Sequence, residues 1–348
     1  MLDDLIEGVI AEGASDLHLA EGREPIIRVS GQLIPLVGKN KITTNNIEDF
    51  LNTFLTGESK TLFNEAQQVD FSYNFKDKAR FRGNAYIRQG KTSIALRHIP
   101  NEIRTLQELG LPDTLEIFTR KKQGFFLAVG PTGNGKTTTL AAMVEMINQN
   151  RLEHIITVED PIEYVYEPKK SVIDQREVRS DTPDFTTALH GLFRQDVNVA
   201  VIGEMRTPET ISTAVTAAET GHLVFSTLHT NNASQTIDRI IDSFPANQQN
   251  QIRLQLAGSL AGIFSIRLIP RISGGLVPAY ELLIANNAVQ NLIREGRTHE
   301  IGTVIETSSG DGMIDLNRSL SGLVQAGEIT VEEAYRHSVN QKTLEKML

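Results

Sequence analysis

Gly130-Pro131-Thr132-Gly133-Asn134-Gly135-Lys136-Thr137 satisfies the spacing G-x-x-x-x-G-K-[ST] and lies between two stretches of different periodicity. Upstream, Phe125-Phe126-Leu127-Ala128-Val129 is an unbroken apolar run that reads as a buried strand. Downstream, Leu140, Met143, Val144 and Ile147 recur at helical spacing, so the loop joins strand to helix. That order predicts a phosphate cradle. The glycines let the backbone fold into a nest of N–H groups, with the positive end of the helix dipole behind it. Lys136 then reaches the β- and γ-phosphates of a nucleotide, the Thr137 hydroxyl is a ligand for Mg²⁺, and Thr138 completes the phosphate-facing stretch.

The rest of the chain sets the bounds. It has 348 residues, 40% hydrophobic and 22% charged, enough for two domains of ordinary globular composition. It has no cysteine, which removes a disulfide framework and a thiolate metal site and suits a reducing compartment. The opening Met1-Leu2-Asp3-Asp4-Leu5-Ile6-Glu7 is acidic and lacks the cationic-then-apolar order of a signal peptide. No apolar run approaches the roughly 20 residues of a membrane span. A soluble, cytoplasmic protein is therefore expected, without membrane insertion of its own. A net charge of −9 offers no basic footprint for nucleic acid and argues against a duplex-binding protein.

Two textures divide the sequence. Residues 1–100 read as a small α+β domain: an opening amphipathic helix, short strands at Ile26 to Val29 and Leu33 to Leu36 joined by a turn at Ser30-Gly31-Gln32, and a helix near Asn46 to Phe54. A meander follows, Val69 to Phe75, Ala79 to Arg88 and Thr92 to Ile99, with turns at Lys76-Asp77-Lys78 and Gln89-Gly90-Lys91. Residues 101–123 read as a linker. From 124 to 348 strands and helices alternate, the pattern of a parallel sheet with crossover helices, ending in short helices. The expected pieces are a strand at Ile155 to Val158, a helix capped by Thr182-Pro183, a strand at Val197 to Ile202, a helix from Pro208 to Glu219 and a strand at Leu223 to Leu228. Ala288 to Glu295 and Leu316 to Ala326 are the clearest of the terminal helices.

Ligands of open parallel sheets gather at the carboxyl ends of the strands. The residues that follow the predicted strands are Glu159, Asp160 and Glu163, then Gly203 and Glu204, then His229. Phosphoryl transfer to water needs a positioned water, a metal against the phosphate oxygens and a cation on the developing charge. Glu204, after four apolar residues and a glycine, suits Mg²⁺ held directly or through water. Glu163 is then the better candidate for polarising the nucleophile. His222 and His229 are seven apart, so strict alternation points them to opposite faces and at most one should face the phosphates. His222 reads either as a residue of the site or as a strand-start histidine bonded within the core.

With these residues in place the chain resembles the PilT-type retraction ATPases of type IV pili, within the secretion ATPase superfamily, over nearly its whole length. Ser15-Asp16-Leu17-His18-Leu19 is similar to the family's N-terminal motif, Gly130 to Thr137 to Walker A, and Glu159-Asp160-Pro161-Ile162-Glu163 to the Asp box. Gly203-Glu204-Met205-Arg206 matches the Walker B end, and Thr220-Gly221-His222 through His229 the His box. The resemblance implies a PAS-like N-terminal domain, a RecA-like P-loop ATPase core and a helical C-terminal end-piece. It implies ATP and Mg²⁺ as ligands, with Glu159 and His222 at the nucleotide, and a homo-hexameric ring in which a neighbour's N-terminal domain completes each site. Arg80, Arg82 and Arg97 are the sensor candidates it suggests. The implied partner is an inner-membrane pilus platform protein, and the implied function is pilus retraction; an accessory retraction motor, a secretion-like motor and a nucleic-acid translocase are the alternatives. Departures are Asn134 in place of a small serine, Asn198 where the family has Asp, and Gln290 in place of Arg within Ala288 to Glu295.

Overall fold

The computed structural model describes residues 1–29, 32–36, 38, 40–76, 78–99 and 102–348. It divides into two compact units, Met1–Glu102 and Ile103–Leu348. The expected turn residues Ser30, Gly31 and Asp77 lie outside the described residues, as does Pro100.

The first unit runs α1 (Leu2–Ala11), β1 (Asp16–Ala20), β2 (Ile26–Val29), β3 (Gln32–Pro35), α2 (Thr44–Phe54), α3 (Gly57–Ala66), β4 (Gln68–Phe75), β5 (Ala79–Arg88) and β6 (Lys91–Ile99). Its sheet has the order β3-β2-β1-β6-β5-β4, with every neighbouring pair antiparallel. Alternation along the strands turns Leu17, Leu19, Phe81 and Leu96 toward Leu5, Ile6 and Val9 of α1 and Phe50 and Phe54 of α2. The opposite positions of the same strands carry charge, Arg80, Arg82 and Arg97 among them. The helix α3 escapes sequence reading because none of its residues is fully buried and its contact with the core, through Phe63, is too slight to give a clear apolar stripe.

The second unit runs α4 (Glu116–Thr119), β7 (Gly124–Val129), α5 (Lys136–Asn150), β8 (His154–Glu159), β9 (Val172–Glu177), α6 (Phe185–Leu192), β10 (Val199–Ile202), α7 (Pro208–Glu219) and β11 (Leu223–Leu228). It continues with α8 (Ala233–Asp242), α9 (Ala246–Ser259), β12 (Leu260–Pro270), β13 (Leu276–Ile284), α10 (Asn287–Glu295), α11 (Ile301–Thr307), α12 (Leu316–Gln325), α13 (Val331–His337) and α14 (Gln341–Glu345). The sheet order is β13-β12-β7-β11-β10-β8-β9, parallel except for the β12–β13 hairpin. Helices cover both faces, which is why β7, β10 and β11 are buried at every position and read as unbroken apolar runs.

Several expectations change. The α6 cap is Asp184, whose carboxylate accepts the Thr187 amide at 2.7 Å, rather than Thr182-Pro183. Edge strand β9 is absent from the sequence reading because it is polar, Val-Ile-Asp-Gln-Arg-Glu, and only partly covered. The hairpin β12–β13 was not anticipated either, since Ile263 to Ile269 lacks period-two alternation when both faces are covered. Residues 103–123, read as part of a linker, send Leu106, Leu111, Leu115 and Phe118 into the core around β7. The Phe118 ring lies 4.6 Å from that of Phe126, in a space that exists because residue 262 has no side chain; a Cβ there would meet the Phe118 ring. Phe118→Ala is therefore expected to cost about 3–5 kcal/mol, the range for emptying a fully buried aromatic site. Chemical denaturation of the full chain measures it, and a loss under about 1 kcal/mol would mean that the segment is peripheral to the core.

Candidate active site

The cradle begins where β7 ends. Gly130 has φ +145°, and a Cβ at this position would run into the Ile266 carbonyl oxygen of β12, so only glycine fits. The loop closes at Gly135, whose left-handed φ of +84° makes it the N-cap of α5 with no side chain to accept from the first helical amides. Those amides are left facing the concavity, an arrangement suited to an anion. The Lys136 ammonium folds over the loop, donating to the carbonyls of Gly130 at 2.9 Å and Pro131 at 3.0 Å. Burial lowers its pKa, and the charges of Glu163 and Glu204 oppose that shift.

Asn134 has a structural part that the sequence did not suggest. Its Oδ1 accepts the Leu268 amide at 2.8 Å and its Nδ2 donates to the Thr132 carbonyl at 3.2 Å. The strand β7 ends at Val129 opposite Ser265, so this carboxamide continues the ladder of β12 beyond its strand partner. A serine is too short to bridge both groups. Thr137 occupies the second position of α5, and the Thr138 hydroxyl is 2.9 Å from the Tyr164 hydroxyl, tying α5 to the segment that carries Glu163.

The acids separate into two kinds. Glu159 is buried at the end of β8, where it accepts from the Thr157 hydroxyl at 2.6 Å and from the Glu163 amide and Gln175 Nε2, both at 3.3 Å. Burial raises its pKa against those hydrogen bonds. Both carboxylate oxygens thus accept hydrogen bonds inside the protein, and Glu159 holds the turn on which Glu163 sits. Glu163 itself is exposed and close enough to Lys136 to favour the ammonium. Glu204 follows β10, ion-paired with Arg206, and its carboxylate is 3.9 Å from His229 Nε2. The strand end beneath it is fixed by Ser226 and Thr227, whose hydroxyls donate to the carbonyls of Ile202 at 2.8 Å and Gly203 at 2.6 Å.

The histidines differ by strand end rather than by strand face. His229 follows β11, with Nδ1 3.3 Å from the Thr132 hydroxyl and 3.4 Å from the Lys136 ammonium. His222 precedes the same six-residue strand, about 20 Å away at the opposite edge of the sheet. There its Nδ1 meets the Ala217 carbonyl at 3.0 Å and its ring stands edge-on to Phe193. His222 thus lies away from this chain's own cradle, partly buried and bonded to the end of α7.

Arg80, Arg82 and Arg97 belong to the N-terminal unit. Strand pairing sets Arg82, Arg97, Asp16 and Arg28 in one cross-strand row. Buried Asp16 takes Arg97 Nε at 2.9 Å and Arg28 Nε at 3.6 Å, while most of the Arg97 side chain stays exposed. The role of Asp16 in fixing Arg97 was missed; the signal was a carboxylate within a strand whose next residues, Leu17 and Leu19, point to the core. Among the described residues no group of three or more His, Cys, Asp or Glu could hold a metal ion by itself, and no helix is long and apolar enough to cross a membrane.

A mostly parallel sheet with a glycine-rich cradle after its central strand, and with acids and a histidine at the adjoining strand ends, defines a P-loop nucleotide-binding protein. Residues 1–281 match the profile of the type II/IV secretion system protein family, and the chain belongs to that family. It is similar to the type IV pilus retraction ATPase PilT of Pseudomonas aeruginosa, 40% identical over 96% of each chain. The twitching motility protein of Neisseria gonorrhoeae is also 40% identical, over 92% of this chain and 86% of that protein. The crystal structure of the pilus retraction motor PilT with bound ADP superposes with a TM-score of 0.93 at 43% identity, covering 99% of each chain.

Burial first and then the adjacent Lys136 charge lower the His229 pKa, against the pull of Glu204. The imidazole is therefore expected to titrate below the ordinary histidine value of about 6.5 and to be neutral at pH 7. Lys136→Met should move it upward by removing a positive neighbour. Histidine-selective NMR reads both, and titration at or above the ordinary value in the parent chain contradicts this account of the site.

Proposed function

We propose that this chain is an ATPase motor that couples ATP hydrolysis to type IV pilus retraction. The observation that carries the reading is the convergence of Lys136, His229 and Glu204 on one edge of the sheet, with Glu163 near enough to bias Lys136, in a chain so similar along its length to a protein named as a retraction ATPase. On this reading the amides at the start of α5 and the Lys136 ammonium bind the phosphates. The ammonium exchanges its loop carbonyls for β- and γ-oxygens. Glu163 accepts a proton from the attacking water, and His229, neutral and beside Lys136, donates or accepts at the γ-phosphate. Mg²⁺, when bound with the nucleotide, neutralises phosphate charge; Thr137 and Glu204 are the residues that would hold it, directly or through water.

The developing charge also calls for a cation. Following the family resemblance, the reading assigns this cation to Arg80, Arg82 or Arg97 of a neighbouring subunit in a homo-hexameric ring. The ring would work in the cytoplasm against an inner-membrane platform protein at the pilus base. The helix α10 offers the surface for output: Val289 and Ile293 are buried, while Asn291 and Arg294 are exposed and hydrogen-bonded to each other at 2.9 Å.

Two outcomes test this. Glu163→Gln should retain ATP binding and lose turnover by ~10²–10⁴, the range for a positioned proton acceptor; turnover at the parent rate in a coupled phosphate-release assay removes the assigned role. Replacing Asn291 and Arg294 together with alanine should leave fold and most ATPase activity intact while twitching motility fails. Normal motility at normal protein levels would assign that face to structure alone.

A further inference from the structure

His229 reaches the cradle at the start of the loop that connects β11 to α8. Its side chain is 53% exposed, and its neighbours there are Thr132, Lys136 and Glu204, with the Arg206 charge nearby. Where the ring points is therefore set by the backbone of residues 229–232, which connects β11 to α8.

That backbone is gripped from the C-terminal hairpin. Ser265 of β12 and Glu281 of β13 are directly opposite one another in the antiparallel register, so their side chains share one face. The Ser265 hydroxyl donates to the Asn231 carbonyl at 2.8 Å, and a Glu281 oxygen, Oε1, accepts the Ala233 amide at 2.8 Å. A cross-strand pair thus holds a carbonyl and an amide two residues apart, on either side of Asn232. The loop is also tied to α8: Thr230 and Thr236 share a 2.6 Å hydroxyl contact, the Asn231 amide donates to Gln235 Oε1 at 3.4 Å, and the Asn232 side chain caps the Gln235 amide at 2.8 Å.

Burial, the first cause, and the nearby Asp315 push the Glu281 carboxyl up to about 7, against the Ala233 hydrogen bond and the Arg267 charge. The hairpin strand beside it also touches the cradle, through Ile266 against Gly130 and Leu268 with Asn134.

We propose that Glu281, with Ser265, is a positioning residue for ATP hydrolysis: the pair fixes the loop 229–232 so that His229 stands against Lys136 and the γ-phosphate. This rests on the ATPase reading above and adds to it a residue on β13 that is remote from the cradle in sequence. The pair acts through the loop and touches no nucleotide, so it governs turnover rather than nucleotide affinity.

The experiment compares Glu281→Ala, Glu281→Gln and Ser265→Ala in the full chain. It measures fluorescent ADP affinity, kcat and KM for ATP, and the His229 ring titration by histidine-selective NMR. Glu281→Ala is expected to lower kcat by about tenfold or more with ADP affinity within about threefold, and to move the His229 titration toward the ordinary histidine value. Glu281→Gln, which keeps an acceptor for the Ala233 amide, should recover most of the kcat and the parent titration. In a His229→Ala background Glu281→Ala should add little further loss, as residues acting through one another are non-additive. Unchanged kcat and titration in Glu281→Ala overturn the proposal, as does an equal loss with and without His229. If Glu281→Ala fails to fold, Ser265→Ala, which removes one hydroxyl, decides the same question by the same readings. Should the parent chain not hydrolyse ATP, the ATPase reading fails on its own, and the His229 titration still decides whether the pair orients that ring.

Discussion

The approach of the Gly130 backbone to the Ile266 carbonyl is the constraint on which the site depends. It brings the start of the phosphate loop against β12 so closely that no side chain can intervene. The loop then rises over the end of β7, Asn134 fastens it to Leu268, and Gly135 opens α5 with its amides uncapped. A looser junction would let the loop move relative to β11 and separate the Lys136 ammonium from His229. Close packing and a left-handed turn thus precede the electrostatics.

Charge is arranged on that frame by position along the strands. Every strand end that meets the cradle carries a polar group, but burial sorts those groups into different work. Glu159, closed in by Thr157, Gln175 and the Glu163 amide, serves the turn. Glu163 is exposed and the Glu204 side chain is 19% exposed, so both keep some of the access that chemistry at a bound phosphate needs. The same sorting operates in the N-terminal sheet, where buried Asp16 anchors Arg97 and leaves most of that side chain in solvent.

The hairpin β12–β13 links the cradle to the helical C-terminal part. One strand contacts Gly130 and Asn134. The other is bridged to the end-piece at Leu282 and Ile314 and through the Tyr280 amide to the Ser319 hydroxyl at 3.1 Å. Ser265 and Glu281 hold the His229 loop from the same hairpin. Nucleotide-facing loops and C-terminal helices therefore share one hairpin, and α10 follows its second strand in the chain.

By itself the sequence determined the features that local chemistry dictates. The strand–loop–helix around Gly130 to Thr137, the helix from Pro208 to Glu219 and the buried strand from Leu223 to Leu228 follow from periodicity, capping and glycine placement, and the structure has them at those positions. The polar residues after the strands were also legible, because parallel sheets collect ligands at one edge. What only tertiary structure decided concerns partners far apart in the chain. Periodicity cannot say that Glu159 turns inward or that Phe118 fills the space left by Gly262. Nor can it see Asn134 reaching Leu268 or Glu281 reaching Ala233. Each of these rests on a distance between residues brought together by sheet order and register, and a pattern read within a window of a few residues carries no information about that order.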